Sequence, residues 1–195
     1  FENTFRQVNI ALVNEFAQIA DALGISGREV LDAAATKPYG FMEFNPGPGV
    51  GGHCIPVDPY YMMQRAADVG VPAELITAAR AVNRTMPLHV GGVIHDILYR
   101  SGVASGEGRV LLLGWSYKAE VGDPRETPAE PLAQTLVDKD IQVSAWDPHL
   151  EVHSFPSIVD VVVDPFKDQE KFDMAILVTA HEDCLNLDWE KLLLS

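Results

Sequence analysis

The chain has 195 residues, 47% of them hydrophobic, with a mean hydropathy of +0.04, enough for one or two cored domains and without an apolar run of membrane-spanning length. Fourteen Lys and Arg against 28 Asp and Glu give a net charge of −14, which argues against nucleic acid or an anionic membrane as partner. Two cysteines, Cys54 and Cys184, without a signal-peptide pattern fit a reducing, cytoplasmic setting. The first residue is Phe1 rather than Met, inside an amphipathic pattern already under way, which suggests a piece of a longer protein.

Phe5, Val8, Leu12, Phe16, Ile19 and Leu23 recur at three- and four-residue steps, predicting one apolar face on a helix of roughly twenty residues that Gly24 ends. Ser26-Gly27-Arg28-Glu29 reads as a capping box for a second helix to about Ala35, stopped by Pro38. A Gly/Pro loop follows, to Val57. Asp58-Pro59 then has N-cap and first-turn chemistry for a helix over Tyr60 to Val69. Pro72 opens a long helix, Ala73 to about Arg100, with a kink expected at Pro87. Beyond a boundary near residue 104 the pattern changes. Arg109 to Gly114 reads as a short buried strand, Thr127-Pro128-Ala129-Glu130 as a capping box for a helix to about Lys139, and Gln142–Trp146 and Met174–Thr179 as further strands. Strand and helix in alternation predict a parallel α/β sheet with its site at the strand C-terminal ends.

Two loops carry candidate chemistry. Gly47, Gly49 and Gly52 spell G-x-G-x-x-G, yet Phe41 to Pro46 has little strand character and Pro56 and Pro59 rule out a helix running on from Gly52, so a dinucleotide turn is not expected. These glycines instead let backbone approach a ligand closely. Cys54 sits inside this loop, too rich in Gly and Pro to be core, with Asp58 four residues on. His53 tempts as its base, but neighbours in extended backbone point to opposite sides, so a structural or substrate-lining role is expected. No second Cys/His pair lies at ligand spacing, so no metal is expected. The loop after the first strand carries Tyr117, Lys118 and Arg125, suited to stacking a base and neutralising phosphates, or else a solvated loop with Arg125 paired to Asp123 or Glu126. Cys184 has no base at a telling spacing and reads as a packing residue.

Gly51-Gly52-His53-Cys54-Ile55-Pro56-Val57-Asp58-Pro59-Tyr60-Tyr61, then Leu113-Gly114-Trp115-Ser116-Tyr117-Lys118 followed by Gly122-Asp123-Pro124-Arg125-Glu126-Thr127-Pro128, resembles the UDP-glucose/GDP-mannose dehydrogenase family. Ala33 to Met42 running into Pro46-Gly47-Pro48-Gly49 is most similar to its UDP-N-acetylglucosamine 6-dehydrogenase branch. The resemblance implies an α/β chain: a central all-helical dimerisation domain over 1–104, then a Rossmann-like parallel α/β UDP-binding domain over 105–195, truncated at its end. It implies that NAD is bound mainly by a domain outside this chain, so that the chain alone is inactive. It further implies oxidation of a sugar C6 alcohol to the acid with two NAD+, serving polysaccharide biosynthesis. In that scheme Cys54 is the nucleophile that forms a thiohemiacetal and then a thioester. Asp58 acts on the hydrolytic water, and Asn3, with a Lys upstream of Phe1, stabilises charge on oxygen. Gly51, Gly52, Tyr117, Lys118 and Arg125 contact the UDP-sugar, and two copies pair through the first helix. UDP-glucose and UDP-N-acetylmannosamine remain alternative substrates. A nucleotide-binding or dimerisation module without chemistry, or a cysteine hydrolase with a His and an Asn or Asp converging on Cys54, are the readings of other classes.

Overall fold

The computed structural model describes residues 1–166 and 171–194. Backbone contacts divide the chain into two compact units, residues 1–50 with 54–86, and residues 51–53 with 87–195.

The first unit begins with α1, Glu2–Leu23, ended where Gly24 takes a left-handed φ of 66° and its amide returns to the carbonyls of Ala20 and Asp21. α2, Gly27–Ala35, starts as the capping box predicts, with the Ser26 hydroxyl accepting the Glu29 amide at 3.2 Å. α3 is Asp58–Asp68, and α4, Glu74–Arg100, runs on through Pro87 although that residue has no amide to donate to the Asn83 carbonyl. The face of α1 that is buried differs from its apolar stripe. Thr4, Gln7, Ala11, Val13, Asn14 and Ala20 are buried, while Leu12 and Leu23, each 67% exposed, point outward with Phe5 and Ile19. On that face Asn14 is paired, whereas both polar atoms of the buried Gln7 side chain lack a partner among the described residues. Asn14 Nδ2 donates to Asn83 Oδ1 at 2.9 Å, Asn83 Nδ2 donates to the Gln7 carbonyl at 3.0 Å, and Asn14 Oδ1 accepts the Gly47 amide at 2.9 Å, so one buried side-chain pair ties α1, α4 and the glycine loop together.

The division between units falls inside α4, between Met86 and Pro87, whereas the composition changes near residue 104. Its cause is that Ile94 and Leu98, from the last turns of α4, are buried in the core of the second unit. That unit is a four-stranded sheet, all parallel, of β1 (Arg109–Leu113), β2 (Gln142–Trp146), β3 (Asp160–Val161) and β4 (Met174–Leu177), in the order β3-β2-β1-β4. α5, Ala129–Val137, crosses over from β1 to β2; Pro128 takes its cap position without a side-chain cap bond, and Thr127 before it accepts the Ala129 amide at 3.1 Å, so the expected Thr127–Glu130 capping box does not form. The short helices α6 (Glu182–Leu185) and α7 (Trp189–Leu194) follow β4.

β1 is buried on both faces, which explains its unbroken apolar run. Val110 and Leu112 pack with Leu132, Ala133 and Leu136 of α5, while Leu111 and Leu113 pack on the other side with Val162, Cys184 and Leu192. Each of those four β1 side chains, fully removed from water, contributes about 2 kcal/mol. β3, two residues long, had no signal in the sequence, and β4 ends at Leu177, two residues before the expected limit. No helix among the described residues is long and apolar enough to cross a membrane.

Candidate active site

The glycine loop has no strand before Gly47 and no helix directly after Gly52, so it does not form a dinucleotide turn. From Cys54 the chain winds into α3. The Cys54 carbonyl accepts the amides of Val57 at 3.2 Å and Asp58 at 2.8 Å, a single helical turn that sets Cys54 and Asp58 four residues apart on one side. Cys54 is exposed. Asp58 is not the helix cap its sequence position suggests. Val57 occupies that position, Asp58 is already helical, and its Oδ2 accepts Asn3 Nδ2 at 2.6 Å across 55 residues. The structure therefore joins two of the three predicted catalytic residues by a hydrogen bond and places the third one turn away along the chain.

Gly51, Gly52 and His53 belong to the second unit. Both glycines are required by close approach: a Cβ on Gly51 would stand 2.8 Å from Pro128 Cδ and 2.9 Å from the Glu126 carbonyl, and one on Gly52, at φ +88°, 2.9 Å from the Tyr117 ring. The Gly52 amide donates to the Glu126 carbonyl at 3.2 Å. His53 is structural in its contacts. Its ring meets that of Tyr117 edge-on at 5.4 Å, and Nε2 lies 3.1 Å from Asp123 Oδ2 and 2.9 Å from Arg125 Nη2. A protonated Nε2 donates to the carboxylate, whereas a bare one accepts from the guanidinium, so one of the two contacts is a hydrogen bond in any one tautomer.

Arg125 is engaged mainly with Asp123, through Nε at 2.9 Å and Nη2 at 2.6 Å. This is the ion pair that the sequence offers beside ligand contact. The Arg125 guanidinium and backbone amide hold the Asp123 carboxyl well below the usual carboxylate range. Lys118 is exposed and Tyr117 half-buried, with its ring over Gly52.

The loop between β1 and α5 is anchored by residues that sequence reasoning did not single out. Asp147, directly after β2, accepts the amides of Trp115 and Ser116, each at 2.7 Å, on one oxygen and that of His149, at 2.8 Å, on the other. Burial pushes its pKa up, but the Ser116 and His149 amides outweigh that and leave it below the ordinary value. His181, after β4, is fully buried between Asp147 and the Glu120 amide. The sequence signal was slight: an Asp-Pro pair at a strand end and a lone His in a stretch read for Cys184. Cys184 is buried, as expected of a packing residue, and burial first, then the Asp147 charge, pushes its thiol up to about 11.

Residues 1–85 match the central domain of the UDP-glucose/GDP-mannose dehydrogenase family, and residues 111–194 match that family's UDP binding domain. The chain belongs to this family. Over 190 residues it is 36% identical to a UDP-N-acetyl-D-mannosamine dehydrogenase of Methanocaldococcus jannaschii, covering 97% of this chain and 41% of that protein. Over 191 residues it is 35% identical to a UDP-N-acetyl-D-glucosamine 6-dehydrogenase of Pseudomonas aeruginosa, covering 98% and 45%. The solved structure of a UDP-D-ManNAc dehydrogenase from Pyrococcus horikoshii superposes with a TM-score of 0.81 at 32% identity, over 98% of this chain and 43% of that one. The chain thus spans about two fifths of the length of these nucleotide-sugar dehydrogenases. Tyr117, Lys118, Asp147 and His181 all fall inside the stretch matched to the UDP binding domain, while Asn3, Cys54 and Asp58 fall inside the central domain.

Proposed function

We propose that this chain carries the nucleophile and the UDP-holding loop of a nucleotide-sugar 6-dehydrogenase that oxidises the C6 alcohol of a UDP-N-acetylhexosamine to the acid. The observation that carries this is the exposed Cys54 one helical turn before Asp58, whose carboxylate takes the Asn3 amide at 2.6 Å. Loss of a hydride and of the hydroxyl proton turns the C6 alcohol into an aldehyde, and the sulfur of Cys54 adds to its carbonyl carbon to give a thiohemiacetal. Loss of the C6 hydride and the hydroxyl proton from that adduct leaves a thioester, and addition of water releases the acid and the free thiol. Asp58 orients and deprotonates that water, and Asn3 holds the Asp58 carboxylate in place while its remaining amide hydrogen faces charge on oxygen. Family resemblance names NAD as hydride acceptor. Residues 47–52 have no strand before them and no helix directly after them, so they do not form a dinucleotide turn. Lys118 meets the diphosphate and Tyr117 the nucleotide, while Arg125 acts chiefly by fixing Asp123 and His53.

Two copies pair through the outward stripe of α1. Phe5, Leu12 and Phe16 line a groove of about 510 Å³ with Val30, Met42 and Phe44, an apolar surface that a second α1 stripe would cover.

The motif at Ala33 to Gly49 favours UDP-N-acetylglucosamine, and relatives named for UDP-N-acetylmannosamine support the epimer as a second reading. NADH formation by the full-length protein, with both sugars and UDP-glucose at equal concentration, tests the proposal. Turnover of an N-acetylhexosamine nucleotide above UDP-glucose is expected. Preference for UDP-glucose would contradict the substrate, and no turnover with any of the three would contradict the dehydrogenase.

A further inference from the structure

The loop 114–126 has no helix or strand of its own, yet the proposed UDP contacts depend on where it puts Lys118. Its shape is imposed from the ends of the neighbouring strands. On the near side of Tyr117 and Lys118, Asp147 Oδ2 accepts the amides of Trp115 and Ser116 at 2.7 Å each, and Thr179 Oγ1 donates to the Ser116 carbonyl at 2.6 Å. On the far side the Glu120 amide donates to His181 Nδ1 at 3.1 Å, and Glu120 Oε1 accepts the Glu182 amide at 2.7 Å. His181 Nε2 lies 3.1 Å from Asp147 Oδ2, which closes the bracket. Because Nδ1 accepts an amide hydrogen, the ring proton sits on Nε2 and is donated to Asp147: one neutral tautomer, satisfied at both nitrogens. Glu120 is held at φ 61°, in the left-handed region that non-glycine residues avoid, so the far side is not a relaxed turn.

A buried carboxylate and a buried imidazole are an expensive way to fill space that apolar side chains would fill at less cost. What they add is geometry, since each fixes backbone groups that no apolar side chain could fix. We propose that Asp147 and His181 are positioning residues of the uridine diphosphate site, bracketing residues 117 and 118 so that Lys118 is presented to the diphosphate. This rests on the loop being the UDP site. Glu120, His149 and His181 offer ligand atoms within 4.8 Å of one another, a spacing a metal ion also uses. However, His181 has its Nδ1 lone pair on the Glu120 amide and its Nε2 proton on Asp147, and a metal would have to displace the first of these bonds.

The test is UDP binding by calorimetry to the full-length protein, alongside its melting temperature, for wild type, His181→Ala, His181→Gln and Asp147→Asn. His181→Ala and Asp147→Asn should weaken UDP binding at least tenfold. His181→Gln, which keeps one donor and one acceptor, should recover most of the affinity. Should His181→Ala not fold, His181→Phe fills the volume with neither donor nor acceptor and carries the same expectation. A lowered melting temperature with unchanged UDP affinity would overturn the proposal, as would equal losses in His181→Gln and His181→Ala. UDP affinity of the wild type that collapses in EDTA would overturn it in favour of a metal. No UDP binding by folded wild type would overturn the UDP assignment itself, and this proposal with it.

Discussion

Cys54 and Cys184 are thiols with opposite surroundings. Cys54 is exposed at the start of a helical turn, while Cys184 is buried against β1, its thiol pushed up to about 11 by burial and the Asp147 charge. The thiolate is the reactive form, so iodoacetamide at pH 7.5 should label Cys54 and spare Cys184 in the native protein. Peptide mass spectrometry over a time course reads this, and faster labelling of Cys184 would refute the assignment. The glycines of the same loop are not equivalent either. A Cβ at Gly47 meets nothing nearer than 4.0 Å, whereas at Gly52 it meets the Tyr117 ring at 2.9 Å from a φ of +88°. Gly52→Ala should cost about 1–2 kcal/mol in backbone strain alone and lower the melting temperature by about 5 °C, with Gly47→Ala near wild type. Equal melting temperatures for the two variants would show that Tyr117 yields freely.

α1 presents its apolar stripe outward, and the proposed function seats a second copy on it. Leu12→Asp puts a charge in the middle of it. Light scattering should report a dimer for the wild type and a monomer for Leu12→Asp, and a dimer unchanged by Leu12→Asp would refute pairing through α1. The same helix shows what the sequence could and could not tell. Its length, its stop at Gly24, the Ser26 cap of α2 and the run of β1 were legible because each depends on neighbours within a few residues. The inward face was not legible. Helical period locates an apolar stripe but not what covers it, and here the buried side is built on Asn14 and Asn83, partners 69 residues apart. Asp58 was misassigned as a cap for a related reason: the Cys54 carbonyl starts the helix one residue early, and Asn3, 55 residues away, takes the carboxylate. The motif-bearing residues Cys54, Tyr117 and Lys118 could be picked out because loop composition marks them. Asp147 and His181 could not, since their meaning lies in amides 31, 32 and 61 residues distant.

Across the whole molecule, two carboxylates are held in their ionised form by fixed partners, Asp147 by backbone amides and Asp123 by Arg125. Their folded pKa values lie below the unfolded value of about 3.9, so their contribution to stability is present above about pH 4 and is lost as pH falls through the folded values. Melting temperature measured by calorimetry should therefore drop steeply below about pH 4. Asp147→Asn should be less stable at pH 7 and show a shallower acid slope, and an unchanged slope would contradict the role of this carboxylate. On the proposed function, Cys54 captures the aldehyde so that one sugar undergoes both oxidations before release. The most direct measurement is NADH formed per UDP-N-acetylhexosamine consumed by the full-length protein, for wild type and Cys54→Ser. Two NADH per sugar, with acid formation falling by several orders of magnitude in Cys54→Ser, is the expected result. Two NADH per sugar with Cys54→Ser turning over like the wild type would contradict it.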